Sequence, residues 1–355
     1  MRVRTTNPHR RATRRGALAF LTATTVATSG VLATTAFGAT EPSGSITLVA
    51  YSTPAPAYTQ LISDFQKTAA GAGVTVSPSY GASGTQARAV AAGLPADVVN
   101  FSLLTDMERL VPKYVPTTWN SDPVTGGMVT DSVVVFVVPK GNPDHIEKWS
   151  DLLKPNVRVF TPSPFSSGSA RWNIMAAFGA ELKLGNTQQG AINFVTEILK
   201  KTVVQGASAA DELTAFLNDA PTNKGDVLLD YESDAIQAKR LGAKISYVIP
   251  PQTLLIENPI AVVQTSKNLP AAQAFVNFLL SKQGQTDWAN LGYRSVLPAV
   301  EAKFRKKYPD PKGLFKIGYF PGGWDTVATQ YFSTSASSPG IITLIEEQLG
   351  VSTSS

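Results

Sequence analysis

Ile46-Thr47-Leu48-Val49-Ala50-Tyr51-Ser52-Thr53-Pro54 decides the fold: six residues of buried-strand composition run straight into a helix start. Thr53 has the side chain of an N-cap, and Pro54 suits the first helical position, where an N–H has no intrahelical partner. Tyr58, Leu61, Ile62 and Phe65 then recur at helical spacing and form one apolar stripe.

The alternation continues along the chain. Strands are expected over 74–80 and 97–101, with a helix over 83–94 between them. Residues 132–139, Ser-Val-Val-Val-Phe-Val-Val-Pro, are strongly apolar, and a loop follows at Gly141-Asn142-Pro143. Further strands read over 157–160, 203–204, 226–229, 245–249 and 260–263, separated by helices. A helix over 270–280 carries its stripe at Phe275, Phe278 and Leu279. Strands alternating with helices predict an α/β fold whose layers surround a mostly parallel sheet. A chain of 355 residues has the length of two such domains. No internal repeat is visible. The segment from Ser333 is rich in Ser and Thr, and a short helix over 341–349 ends the chain.

The net charge of +5 belongs to the first 39 residues, which hold six Arg and no Asp, Glu or Lys. Removing those six from the 31 basic residues leaves 25 against 26 acidic, a net of −1. The basic excess therefore does not speak for nucleic acid as a partner. Residues 1–39 have the parts of a secretory signal peptide: a basic start, an uncharged apolar run over 17–37, and small residues at Ala36, Gly38 and Ala39. Thr13-Arg14-Arg15-Gly16-Ala17-Leu18 carries part of a twin-arginine pattern, with Ala17 in place of a bulky apolar residue. The chain has no cysteine, which excludes disulfides, thiolate metal sites, cysteine nucleophiles and a lipidated cleavage site. A soluble periplasmic protein, exported with cleavage of the leader, fits these features.

Three stretches place Ser and Gly where helices should begin: Gly81-Ala82-Ser83-Gly84-Thr85-Gln86, Ser166-Ser167-Gly168-Ser169-Ala170-Arg171-Trp172-Asn173, and Gly206-Ala207-Ser208. Each alone reads as an ordinary helix cap. Together, aimed at one cleft, their free N–H groups and partial positive charge would receive a tetrahedral oxyanion without a metal or a catalytic base. That pattern points to a binding protein.

These blocks carry a resemblance. From about Ile46 to Phe332 the chain resembles the periplasmic sulfate/thiosulfate-binding proteins, the solute receptors of ABC importers. Ser166–Asn173 is close to the family's Ser-Ser-Gly-Gly-Ala-Arg-Trp-Asn. Gly81–Gln86, Pro95-Ala96-Asp97-Val98-Val99, Lys140-Gly141-Asn142-Pro143, Gly225-Asp226-Val227-Leu228-Leu229 and Gly322-Gly323-Trp324 follow in the family's order. The resemblance implies a two-domain periplasmic binding protein of type II with the anion between the domains. One domain would comprise residues 44–133 and 260–340, the other 134–259, with 341–355 as a C-terminal tail.

The resemblance also implies the site. Ser83 would donate its hydroxyl and N–H, Ser167, Gly168 and Ser169 their N–H groups, and Ala207 its N–H from the next helix start. Tyr231 stands where the family often has Trp; a phenol donates but also accepts. Ser52 stands where some members carry Asp, and Ala55 where they carry Arg, so the order of that loop differs here. If Tyr231 faces the cleft, strand alternation turns Asp230 away from it. Arg171 either leans toward the anion or pairs with a carboxylate, and Trp172 and Trp324 read as packing residues.

The implied protein is a monomer that closes on sulfate or thiosulfate and delivers it to a membrane permease, with no cofactor, no metal and no catalytic residues. Molybdate, tungstate or phosphate are the alternative ligands. A secreted hydrolase has little support: His145 is the single histidine after the leader, and neither a Gly-x-Ser-x-Gly elbow nor a Walker loop is present.

Overall fold

The computed structural model describes residues 41–219 and 226–354. The signal-peptide reading of residues 1–39 lies outside them. Strand β1 (Ser43–Tyr51) is followed by α1 (Ala55–Gln66), β2 (Gly73–Gly81), α2 (Ser83–Ala91), β3 (Val98–Asn100) and α3 (Leu104–Glu108). β4 (Met128–Pro139), β5 (Arg158–Phe160), α4 (Gly168–Lys183), α5 (Gln188–Lys200) and β6 (Thr202–Val204) come next. After α6 (Ala209–Asp219) the chain forms β7 (Asp226–Tyr231), α7 (Glu232–Arg240), β8 (Ile245–Val248), β9 (Gln252–Val262), α8 (Leu269–Leu280) and β10 (Gly313–Phe315). The α/β class is as expected.

The strand order is β2-β1-β3-β9-β4-β7-β5-β6, with β10 beside β9 and β8 beside β4. β1, β2 and β3 run parallel, and so do β5, β6 and β7. The two long strands β4 and β9 join these sets and pair antiparallel with each other. β4 gives its first half to β9 and Val134–Val137 to β7. β9 gives Ile260–Val262 to β3. β4 is buried over nearly its whole length, which fits the apolar run over 133–138: both of its faces are covered.

Two principal cores lie beneath the two parallel sets. Leu48, Tyr58, Phe65, Phe275 and Trp288 belong to one. Phe136, Trp149, Trp172 and Phe178 belong to the other. Trp172 and Trp324 are packing residues as expected, meeting edge to face with centroids 4.6 Å apart.

Three local expectations need correction. Thr53 does not cap α1: Pro54 occupies the cap position with no side-chain bond, and the Ala55 N–H bonds the Ser52 carbonyl at 3.1 Å. β9 begins at Gln252, well before 260, because Glu257, Asn258 and Pro259 interrupt the apolar pattern in the middle of a strand. Residues 334–339 are also better held than their composition suggests, since Thr334–Ser335 pairs with Ser338–Pro339. The helix Ile341–Gln348 then buries Ile342 in the core that holds Trp172.

Candidate functional site

Every residue proposed for the site follows the carboxyl end of a parallel strand. Ser52 comes directly after β1, Ser83 after β2, Ser167–Ser169 after β5, Ala207 after β6, and Tyr231 ends β7. Register shows that these ends converge. Asn100 at the end of β3 pairs with Ile260, and Tyr231 at the end of β7 pairs with Val134. Between those pairs lies only the stretch where β4 and β9 cross. The two parallel sets thus end head to head, and open α/β sheets place ligands outside such carboxyl ends.

Ser102, which sequence reasoning missed, ties these ends together. Its hydroxyl lies 2.7 Å from the Tyr231 hydroxyl. Its carbonyl accepts from Trp172 Nε1 at 3.0 Å and from Asn258 Nδ2 at 3.2 Å. Its N–H donates to Ser83 Oγ at 2.9 Å. A Cβ placed on Gly168 would sit 2.3 Å from Ser102 Oγ, so the start of α4 approaches Ser102 as only glycine permits. The signal for Ser102 was its place: a small polar residue two positions after a short buried strand.

The Ser83 hydroxyl is already engaged. It donates to Asp106 Oδ2 at 2.6 Å while accepting from Ser102. Burial pushes the Asp106 carboxyl up, and the Ser83 hydroxyl opposes that shift. The Ser167 N–H bonds the Ser163 carbonyl at 2.9 Å. Ser166 links its own motif to the other two, its carbonyl accepting from the Gly84 N–H at 3.1 Å and its hydroxyl donating to the Ala207 carbonyl at 2.7 Å. No side chain caps α2, α4 or α7, so their N-terminal N–H groups keep their electrostatic pull. Ser169 Oγ is buried with no hydrogen-bond partner among the described residues.

Two expectations change here. α6 starts at Ala209 rather than at Ala207, because the Ser208 hydroxyl accepts from the Asp211 N–H and caps the helix. Ala207 is an exposed loop residue just before it. Arg171 forms no close ion pair among the described residues: its Nε donates to the Pro164 carbonyl at 2.8 Å, its guanidinium lies over the Phe332 ring, and the carboxylate that acts on it electrostatically is Asp106.

Ser52 opens onto a cavity of about 430 Å³ that it shares with Thr53, Asp234 and Gln237, walled by Leu213, Leu217 and Ala238. Thr53 Oγ1, Asp234 Oδ2 and Gln237 Nε2 are buried there with no hydrogen-bond partner among the described residues. Asp230 is buried next to Tyr231, and its Oδ1 accepts from the Tyr231 N–H at 2.8 Å. His145 lies in a turn beyond the far end of β4, with φ at 49°.

Two sets of parallel strands that end head to head, with uncapped helix starts and small polar residues between them, have the form of a solute receptor. Residues 46–294 match the bacterial extracellular solute-binding protein family, and the chain belongs to it. It is 34% identical to the sulfate-binding protein of Synechococcus elongatus, over 88% of this chain and 93% of that one. It is 32% identical to the thiosulfate-binding protein of Pseudomonas aeruginosa, over 78% and 84%. Among solved structures, the sulfate-binding protein SubI from Mycobacterium tuberculosis H37Rv matches with a TM-score of 0.77 and 45% identity, over 81% of this chain and 99% of that one.

Proposed function

We propose that this chain is an extracytoplasmic receptor that binds sulfate, or thiosulfate, between its two lobes and delivers it to the permease of an ABC importer. The observation that carries the reading is the junction of the uncapped α4 start with Ser102 and Tyr231, where Gly168 leaves room for no side chain. Sulfate offers only acceptors, and such a junction offers N–H and O–H donors with helix-end charge behind them. Because the Ser83 hydroxyl is committed to Asp106, Ser83 contributes its N–H, beside the N–H groups of Gly168, Ser169 and Ala207 and the Tyr231 hydroxyl.

The lobes, 44–133 with 260–340 and 134–259, would close about β4 and β9, the anion favouring the closed state. The protein would act as a periplasmic monomer, freed from its leader, and not as an enzyme. No helix among the described residues is long and apolar enough to cross a membrane, so the permease would be a separate chain. Calorimetric titration of the leaderless, ligand-stripped protein tests this with sulfate, thiosulfate, molybdate and phosphate. Saturable one-to-one sulfate binding is expected. Binding of another of these anions instead would move the specificity, and silence with all four would overturn the receptor reading.

A further inference from the structure

A second cavity, of about 370 Å³, lies beside the crossing of β4 and β9 and shares no lining residue with the one onto which Ser52 opens. Asp131 of β4 and Leu255 of β9 line it together with Phe304, Tyr308 and Leu314. Two cores meet here. Phe304 and Tyr308 pack with Ala289 and Val300, their rings nearly parallel with centroids 6.4 Å apart. Leu255 and Leu314 pack with Val135 and Phe160. The cavity thus has apolar walls drawn from both cores.

Its charges are uneven. Each base on the lining has its own acid: Arg294 pairs with Glu232 at 2.8 Å and with Asp310 at 3.2 Å, Arg305 with Glu301 at 3.0 Å, and Lys316 with Glu257 at 2.9 Å. Lys307 stands over the Tyr308 ring and donates to the Ala289 carbonyl. Asp131 is left over. Its backbone is bound to Arg294 in both directions. Its carboxyl forms no ion pair among the described residues, and Oδ1 is buried there with no hydrogen-bond partner. A carboxylate so placed lacks the compensation that a buried charge requires. Burial and the charge of Glu257 accordingly push it up to about 8. The missing partner is a cation. Among the described residues no group of three His, Asp or Glu side chains could hold a metal ion. The cation that fits therefore brings its own N–H donors, and the apolar walls suit a hydrocarbon body.

We propose that this cavity is a binding site for a small organic ammonium ion, with its charge on the Asp131 carboxylate and its apolar body between Phe304, Tyr308, Leu255 and Leu314. The site is separate from the candidate anion site. Its effect on that site rests on the receptor reading. Asp131 pairs with Glu257 where β4 and β9 cross, and the lobes would close about those strands. An occupant held between the two cores beside the crossing favours one arrangement of the lobes, so it changes sulfate affinity, and sulfate changes its own affinity by the same factor.

The probe is phenethylammonium chloride, titrated by calorimetry into the leaderless, ligand-stripped protein at pH 8.5. Most of Asp131 is ionised there, and an alkylammonium keeps its proton. Saturable one-to-one binding in the millimolar range or tighter is expected for a ligand of this size. Phenethyl alcohol, the same body without the charge, should bind about tenfold more weakly or worse. Asp131→Asn, checked for folding by its thermal transition, should weaken binding of the ammonium by a similar factor. Leu314→Phe, which fills the cavity from another wall, serves if that variant does not fold. With the probe at saturation, sulfate affinity should shift by about fivefold or more. No binding of the ammonium, equal binding of the alcohol, or undiminished binding by folded Asp131→Asn overturns the site. Bound probe with sulfate affinity unchanged overturns the coupling. Silence with all four anions while the ammonium still binds overturns the receptor reading and leaves this site standing.

Discussion

The Tyr231 hydroxyl and the Ser102 hydroxyl lie 2.7 Å apart, joining residues 129 positions distant in the chain. One ends β7 and the other follows β3, so this pair spans the gap between the two parallel sets. It also places a donor beside the start of α4, because Ser102 is the residue against which Gly168 packs. On the proposed function this junction is at once a contact between the two strand sets and a set of anion donors, so substitutions in it should affect closure and affinity together.

Tyr231→Phe separates the hydroxyl from the ring. The ring is buried in the core that holds Trp172 and should keep its packing. A hydrogen bond to a charged partner contributes about 1.5–3 kcal/mol, so sulfate affinity should fall by roughly tenfold or more. Stability of the ligand-free protein should fall by only about 1 kcal/mol, for the lost bond to Ser102. Titration and denaturant unfolding of the same preparation check both numbers. Undiminished affinity would remove Tyr231 from the set of ligand donors.

Gly168→Ala tests the close approach of α4. The added Cβ meets Ser102 Oγ at 2.3 Å and Ser102 Cβ at 2.6 Å, distances that force the lobes apart or displace the serine. Overpacking of this kind costs about 1–3 kcal/mol, so sulfate should bind some tenfold more weakly or worse. Adding Ser102→Gly removes the obstacle and should recover part of the loss, measured as a coupling in a double-mutant cycle. Equal affinity in Gly168→Ala and the parent would show that the approach is loose in the bound state.

Much of the candidate site was legible because its residues obey local rules. Glycine and serine at a helix start, with apolar runs before them, mark Ser83 and Gly168 as helix starts after strands, whereas Tyr231 came only from the resemblance to the family. What escaped depended on distant partners. Ser102 has no local motif; its role comes from Tyr231, Trp172 and Asn258, all far away in sequence. Periodicity passed over the first part of β9, since Glu257, Asn258 and Pro259 look like a loop yet lie in a strand that crosses between lobes. Ser208, the cap of α6, stood in the quoted motif, but the helix start was placed at Ala207 rather than after Ser208.

Asp131 offers a test of the crossing strands that needs no ligand. It sits in β4, exchanging backbone hydrogen bonds with Arg294 at 2.9 Å in each direction, and its Oδ1 is buried without a partner among the described residues. Burial, reinforced by the charge of Glu257, pushes its carboxyl up to about 8, while Lys316 and Arg294 pull it down. An unfolded Asp titrates near 4, so between about 4 and 8 the folded protein holds a proton that the unfolded chain has released. Stability from this group is therefore full at acid pH and is lost as pH rises through that window. Asp131→Asn removes the titration. The stability of the variant relative to the parent should therefore rise between pH 5 and pH 8.5, by up to about 4 kcal/mol, the limit that linkage sets over the three units from pH 5 to pH 8. Comparing denaturant midpoints at the two pH values cancels the contributions of Asp230, Asp234 and Glu212, which both proteins share. If the difference between variant and parent is the same at both pH values, Asp131 is not the group that ionises.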